Sequence, residues 1–112
     1  MPVFKRGEVV KVPFPCTDRT ARQFRPALVV CSGEHESDHD LLWVLMITSA
    51  DNRGWPGDVV ISNLTMAGLP APSVIRTAKI ATIEAADATR LGKVTAPCLR
   101  QVLSFLQAKL GN

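Results

Sequence analysis

The chain has 112 residues, of which 46% are hydrophobic and 21% charged. This composition predicts one folded domain spanning residues 1–112 and argues against disorder. The longest unbroken apolar run is the seven residues from Leu41 to Ile47, where a membrane-spanning helix needs about 20, and the first residues lack the apolar centre of a secretion signal. Three cysteines without a C-x-x-C spacing disfavour both a disulfide framework and a cysteine zinc site, so we expect a cytoplasmic protein.

The formal net charge of +3 is unevenly distributed along the chain. Four of the ten acidic residues fall within residues 34–40, a segment without Lys or Arg, which leaves six acidic residues against 13 basic ones elsewhere. A basic field of this kind suits a phosphate-bearing partner. From composition alone, however, a soluble protein with an ordinary surface charge is the simpler interpretation.

The first half of the chain predicts short strands separated by polar loops. Pro13 and Pro15 are expected to end the first strand, because proline cannot donate a hydrogen bond to a sheet ladder. The predicted order is a strand over residues 7–14, a basic loop over 15–25, an apolar strand over 26–31, an acidic loop over 34–40 and a strand over 41–47.

The second half predicts two more strands and then helices. The strands cover residues 58–61 and 73–83, and a short helix is predicted from residue 84 or 85 to Leu91, closed by Gly92. The last segment carries apolar residues at helical spacing, with Thr95 as a predicted N-cap. About five strands followed by helices predict a mainly β, α+β fold, in which a C-terminal helix packs on a small antiparallel, partly closed sheet.

One motif matches a metalloprotease signature by spelling alone. Residues 35–39 read H-E-x-x-H, which binds zinc when both histidines face one side of a helix. Here the motif lies between two strand-like runs about nine residues apart, directly after Ser32-Gly33. We therefore predict a solvated acidic loop and no metal site.

Two other positions have a structural and a functional interpretation. Arg25 lies immediately before the apolar strand that starts at Pro26, so it either pairs with an acid or faces a ligand's phosphate. Thr48 and Ser49 follow the strand 41–47, where hydroxyls often only cap a turn. If the two strand ends are neighbours, Arg25 and Thr48 share one pocket, and a guanidinium with a hydroxyl suits a phosphodiester.

Five short blocks in this order resemble the MazF/PemK toxins of bacterial toxin–antitoxin systems. The blocks are GEVVKVPFP from Gly7, RPALVV from Arg25, ITS from Ile47, GDVVI from Gly57 and PSVIR from Pro72. The resemblance covers nearly the whole chain and implies an SH3-like small antiparallel barrel with a C-terminal helix. Glu8 stands where the family often has Asp, and the acidic loop is unusual for it.

The resemblance also implies an activity and its residues. It implies a sequence-specific endoribonuclease that cuts single-stranded mRNA without a metal or other cofactor, leaves 2′,3′-cyclic phosphate and 5′-OH ends, and inhibits translation and growth. It further implies a homodimer and a cognate antitoxin with an acidic, disordered tail. Arg25 and Thr48 match the family's catalytic arginine and threonine, and the residues predicted to contact RNA are Arg19, Arg22, Ser49, Arg53, Arg76 and Lys79.

Two alternatives keep the same barrel and change the function. A CcdB-like gyrase-poisoning toxin would act by binding a protein, and such toxins depend on a Trp near the C-terminus. This chain ends Leu110-Gly111-Asn112, and its two tryptophans are Trp43 and Trp55, which disfavours that alternative. The second alternative is a catalytically inactive binding module, which has no need of an Arg25–Thr48 pair.

Overall fold

The computed structural model describes residues 4–15, 22–32, 41–52 and 54–111. Within these ranges the chain forms strands, two short 3-10 turns and two helices. The elements are β1 (Glu8–Pro15), β2 (Arg22–Ser32), β3 (Leu41–Ser49), a 3-10 turn (Ala50–Asn52), β4 (Asp58–Val60), α1 (Leu64–Ala67), β5 (Ser73–Glu84), a 3-10 turn (Ala85–Asp87), β6 (Thr89–Lys93) and α2 (Ala96–Lys109).

The strands form a six-stranded antiparallel sheet in the order β4-β5-β3-β2-β1-β6. Successive side chains of a strand point to opposite faces, and both faces of this sheet are apolar. Leu28 and Leu45 belong to one buried cluster, whereas their neighbours Val29 and Val44 belong to another. The central strands are therefore buried on both sides, which explains why they read as continuous apolar runs.

Helix α2 covers the first of these clusters. The side chain of Thr95 accepts a hydrogen bond from the backbone N–H of Cys98, and Pro97 lies in the first turn, so the predicted N-cap is confirmed. Cys98 and Val102 are buried against the sheet, and burial raises the pKa of the Cys98 thiol. Within the described residues, no helix is long and apolar enough to cross a bilayer.

The predicted helix from residue 84 or 85 to Leu91 is wrong. The chain makes one 3-10 turn there and then continues as β6, which pairs with β1. Gly92 does not close a helix: a Cβ at this position would lie 2.2 Å from the carbonyl oxygen of Met66, so glycine allows α1 to pack against β6. Long-range pairing with an exposed sheet edge outweighed the weak local preference for helix.

A partly exposed ion pair joins β6 to the start of β1. The Arg90 Nε lies 2.6 Å from the Glu8 Oε2, and the backbone N–H of Lys5 also donates to the Glu8 carboxylate. Burial raises the pKa of Glu8, whereas the hydrogen bonds from Arg90 and Lys5 lower it. The lowering effects together are larger, so the pKa of Glu8 lies below its ordinary value.

The first hairpin is longer than the sequence predicted. β1 continues to Pro15 and β2 begins at Arg22, where a strand ending at residue 14 and a loop over residues 15–25 were expected. The hairpin contains three prolines, and they lie at every second residue pair along the β1–β2 ladder. The pairs are Lys11 with Pro26, Pro13 with Phe24 and Pro15 with Arg22. Alternate pairs of an antiparallel ladder exchange no hydrogen bonds, so this set of positions tolerates residues without an N–H.

Candidate functional site

A pocket lies where β2 and β3 stop pairing, and it contains both residues singled out from the sequence. Its volume is about 330 Å³. The register pairs Ala27 with Met46, and Pro26, the next residue of β2, has no N–H with which to continue the ladder. The lining residues are Arg25 and Pro26 from β2, Ile47 to Ser49 from β3, Asn52 from the 3-10 turn, and the loop from Leu69 to Ser73.

The polar side chains of this pocket carry a guanidinium, three hydroxyls and the amide of Asn52. Arg25 is exposed, and Thr48 is half-buried on the neighbouring strand. Ser73 closes the pocket on the loop side, where its hydroxyl donates to the carbonyl of Ala71 at 2.8 Å. Cationic and hydroxyl donors on an otherwise apolar floor suit an anionic ligand such as a phosphodiester.

The turn after β3 holds the hydroxyl end of the pocket in place. The Nδ2 of Asn52 donates to the Oγ1 of Thr48 at 3.2 Å, and the backbone N–H of Asp51 donates to the Ser49 hydroxyl at 3.2 Å. The backbone N–H of Ala50 donates to the carbonyl of Pro72 at 3.0 Å. Side chains and backbone together therefore fix the 3-10 turn against both β3 and the loop.

Arg76 of β5 holds the same 3-10 turn through a hydrogen bond. Its Nε and Nη2 donate to the two carboxylate oxygens of Asp58 at 3.2 and 3.0 Å, and Nη2 also donates to the backbone carbonyl of Asn52. Both charged side chains are 8% exposed. The guanidinium carbon also lies 4.3 Å from the ring centre of Trp55, which completes a cluster of ion pair, hydrogen bond and cation–π contact.

A break in the β3–β5 ladder allows this cluster to form. Leu45 pairs with Ile80, but Ile47 pairs with Ile75, so residues 76–79 fall outside the β3 register. Arg76 pairs with Asp58 of β4 in the backbone ladder as well. At the other end of the break, Lys79 is exposed, with its Nζ 5.2 Å from the ring centre of Trp55.

The other candidates from the sequence fall in different places. Arg19 and Arg53 lie outside the described residues, as does the H-E-x-x-H segment 35–39, and for Arg22 the structure describes only the backbone. Ser49 is exposed in the pocket and Lys79 is exposed beside Trp55. Among the described residues, His, Cys, Asp and Glu side chains form no group of three that could hold a metal ion.

Arg76 differs from the exposed cation that was expected. It is 7% exposed, and Asp58 neutralises its charge. No sequence pattern pairs Arg76 with Asp58, which is 18 residues away, because the pair forms only when β4 and β5 lie side by side. Its contact with RNA stays a prediction.

Sequence reasoning missed Asn52, Trp55 and Asp58 as parts of the site. All three lie in or beside a stretch dense in turn-forming residues, DNRGWPG from Asp51, whose pattern alone predicts only a turn. One signal was available: Asn52 follows the candidate Thr48 by four residues, and asparagine side chains often bond to nearby groups in turns. A second signal was Trp55, an aromatic residue that stands between the turn formers Gly54 and Pro56.

The fold is a small antiparallel β sheet with a C-terminal helix. At a strand end it carries a pocket suited to an anion. These features define a class of small β proteins with such a pocket, and comparison with known proteins identifies the family. Residues 5–110 match the family of PemK-like, MazF-like toxins of type II toxin–antitoxin systems. The chain belongs to this family. A search of curated proteins gave no match.

Solved structures with the same fold include chains from Deinococcus radiodurans. A chain of its MazE–MazF complex (form II) superposes with a TM-score of 0.74 at 24% identity, covering 99% of this chain and 98% of that one. Its MazF alone (form I) superposes with a TM-score of 0.72 at 21% identity, with both chains fully covered. This likeness confirms the predicted fold class, a mainly β small antiparallel barrel-like sheet with a C-terminal helix. The sheet has six strands where about five were predicted.

We predict that breaking the ion pair beneath the pocket from one side lowers the protein's stability strongly. Arg76→Met leaves the Asp58 carboxylate in a site where it is 8% exposed, and removal of one partner of such a pair costs about 3 kcal/mol. Urea denaturation followed by fluorescence measures this free energy. The exposed Lys93→Met is the matched control and should stay within about 0.5 kcal/mol of wild type.

The double variant Asp58→Asn/Arg76→Met distinguishes two causes of the stability loss in Arg76→Met. One is the unpaired charge left on Asp58, and the other is the loss of packing around residue 76. The double variant should be more stable than Arg76→Met alone, because no charged group is left without its partner. If Arg76→Met were as stable as Lys93→Met, the pair would contribute nothing.

Proposed function

We propose that this toxin is an endoribonuclease that cleaves single-stranded RNA in the Arg25–Thr48 pocket. One observation carries the proposal: two strands that are predicted from separate sequence blocks bring an exposed arginine, Arg25, and the hydroxyls of Thr48 and Ser49 to one cavity of about 330 Å³. Membership of the family agrees with it. We further propose sequence-specific cutting of mRNA in the cytoplasm, with inhibition of translation and growth as the result.

The proposed reaction uses the nucleophile that RNA supplies. The ribose 2′-oxygen attacks the adjacent phosphorus as its proton leaves to solvent, the P–O5′ bond breaks, and the 5′-oxygen takes a proton. The products are a 2′,3′-cyclic phosphate and a 5′-OH end. The protein's task is to hold the 2′-oxygen in line with the leaving group and to stabilise negative charge on the phosphoryl oxygens.

Arg25 suits the charge-stabilising task. A guanidinium is planar and permanently charged, and its donors match two phosphate oxygens at once. Thr48 would add one hydrogen bond to a non-bridging oxygen. Proton delivery by Arg25 to the leaving 5′-oxygen is chemically demanding, since arginine holds its proton tightly, so electrostatic stabilisation is its proposed main role.

The surroundings of the pocket suit a flexible nucleic acid strand. Trp55 is 44% exposed and lies beside the exposed Lys79, so the two offer a stacking surface and a cation for a base and its phosphate. Single-stranded RNA can bend into the in-line geometry and can present unstacked bases, which a duplex cannot. Arg19, Arg22, Arg53 and Arg76 remain candidate RNA contacts.

We also propose a homodimer and a cognate antitoxin. The similar structures from D. radiodurans include MazE–MazF complexes, and a basic site that attracts RNA also attracts an acidic, disordered tail that folds on binding. Such a tail would block the pocket by competition and would leave the catalytic side chains unchanged.

We expect substitution of the two pocket residues to lower the cleavage rate without unfolding the protein. Arg25→Ala should lower the single-turnover rate on an RNA oligonucleotide by at least 10²–10³, on the order expected for loss of a group that stabilises transition-state charge. Thr48→Val, which replaces a hydroxyl with a methyl group of similar shape, should lower it by about tenfold to a hundredfold.

Arg100→Ala, an exposed arginine of α2 outside the pocket, is the control for loss of one positive charge. It should keep nearly the full rate. An Arg25→Ala variant as active as Arg100→Ala would place the reaction elsewhere on the protein.

Competition predicts that one charge reversal weakens both RNA cleavage and antitoxin binding. Lys79→Glu reverses an exposed charge beside Trp55, whereas Arg76→Glu would place a second carboxylate against Asp58 and would test folding as well. Lys79→Glu should reduce affinity for an acidic antitoxin peptide and should reduce RNA cleavage, and both effects should shrink as salt rises.

Lys93→Glu on β6 carries the same change in net charge and should have little effect on either measurement. Calorimetric titration with the peptide and a cleavage assay on the same preparations supply the two numbers. A Lys79→Glu variant that lost peptide binding and cut RNA at the full rate would contradict competition for one surface.

A further inference from the structure

The hydroxyl of Thr48 has a defined partner in the structure. The Asn52 Nδ2 donates to the Thr48 Oγ1 across 3.2 Å, from four residues further along the chain. Asn52 is itself exposed and lines the same pocket. The contact is therefore inside the proposed active site.

The direction of this hydrogen bond determines what the hydroxyl has left to offer. A threonine hydroxyl has one proton to donate and two lone pairs with which to accept. Because the Asn52 amide occupies a lone pair, the hydroxyl proton cannot point towards that amide and turns to another acceptor. A phosphoryl oxygen of RNA in the pocket is an acceptor of the required kind.

The backbone of Asn52 is fixed independently of its side chain. Its carbonyl accepts a hydrogen bond from the Arg76 Nη2, and Arg76 is in turn held by Asp58 and Trp55. The turn is also joined to the far wall of the pocket by the bond from Ala50 to Pro72. A side chain on a fixed backbone loses little freedom when it makes a bond, which is the condition for preorganisation.

We propose that Asn52 is a positioning residue that directs the Thr48 hydroxyl proton to the scissile phosphate, and that the Arg76–Asp58 pair holds Asn52 in place for this role. The inference rests on the proposed function, because it assigns Thr48 a hydrogen bond to the reacting phosphate. Asn52 acts through Thr48 and needs no contact with RNA of its own. The contribution is made in the transition state, where charge on the phosphoryl oxygen is greatest, so it belongs to kcat.

A double-mutant cycle between Asn52 and Thr48 tests this coupling. Asn52→Ala should lower kcat about fivefold and change KM less than about twofold, the scale of one directed hydrogen bond. In the Thr48→Val background, where no hydroxyl remains to be directed, the same substitution should change kcat less than about twofold. Gln101→Ala, which removes an exposed amide from α2, controls for amide loss and should leave kcat unchanged.

A second variant reverses the hydrogen bond and adds a readout that a purely structural role would not move. In Asn52→Asp the ionised carboxylate only accepts, so the Thr48 hydroxyl turns towards it and away from RNA. When protonated, the same side chain can donate again. The ratio of Asn52→Asp to wild-type kcat should therefore rise as pH falls from 7 towards 4, where an aspartate with an ordinary pKa of about 3.9 becomes protonated, whereas the ratio for Asn52→Ala should stay flat.

The outcomes separate this inference from the proposed function. If wild type cleaves RNA and Thr48→Val is slow, but Asn52→Ala keeps the wild-type kcat or loses as much in the Thr48→Val background, the positioning role is wrong and the active site stands. If Thr48→Val is as fast as wild type, or wild type does not cleave RNA, the proposed function fails and the inference fails with it.

Discussion

The Arg76–Asp58 ion pair is the interaction on which the arrangement of the site depends. It joins β5 to β4 with both charged side chains nearly buried, and its third hydrogen bond reaches the carbonyl of Asn52. Burial makes such a pair costly to break, although it need not add to stability relative to an apolar pair. Its value here is positional, because it connects the sheet to the turn that orients Thr48.

A second constraint opens the space that this turn borders. Pro26 has no N–H with which to extend the β2–β3 ladder beyond Ala27 and Met46. Beyond this point the ends of β2 and β3 line a cavity and form no further sheet. Arg25 and Thr48 line this opening from the two neighbouring strands, so a proline at the start of an apolar block accounts for where the pocket forms.

The sequence was sufficient for the strands with strong patterns and for α2. The apolar blocks that start at Pro26, Leu41 and Ser73 became β2, β3 and β5 within a few residues, and the Thr95 cap was correct. The helix predicted for segment 84–91 was wrong because the local preference of this segment for helix is weak. Its structure depends instead on pairing with the edge of β1. Local patterns contain no information about which edges are available.

The same limit applies to the site. Arg25 and Thr48 were predicted together because each adjoins a recognisable strand, and the structure places both in one pocket. Asn52, Trp55 and Asp58 were missed because their roles arise from contacts with Thr48 and Arg76. For Arg76 in particular, charge suggested an exposed RNA contact, and only the β4–β5 register shows the acid that neutralises it.

Mapping the ends produced from a single-stranded RNA in excess EDTA shows whether the protein cleaves RNA without a metal and through the ribose 2′-oxygen. The substrate is a long transcript, followed by an oligonucleotide containing the cut site with a single 2′-deoxy substitution at the scissile ribose. We expect cutting in the chelator, a 2′,3′-cyclic phosphate and a 5′-OH at each cut, and no cutting at the deoxy position. Cleavage at the deoxy position, 5′-phosphate ends, or activity that disappears with EDTA and returns with a divalent ion would contradict it.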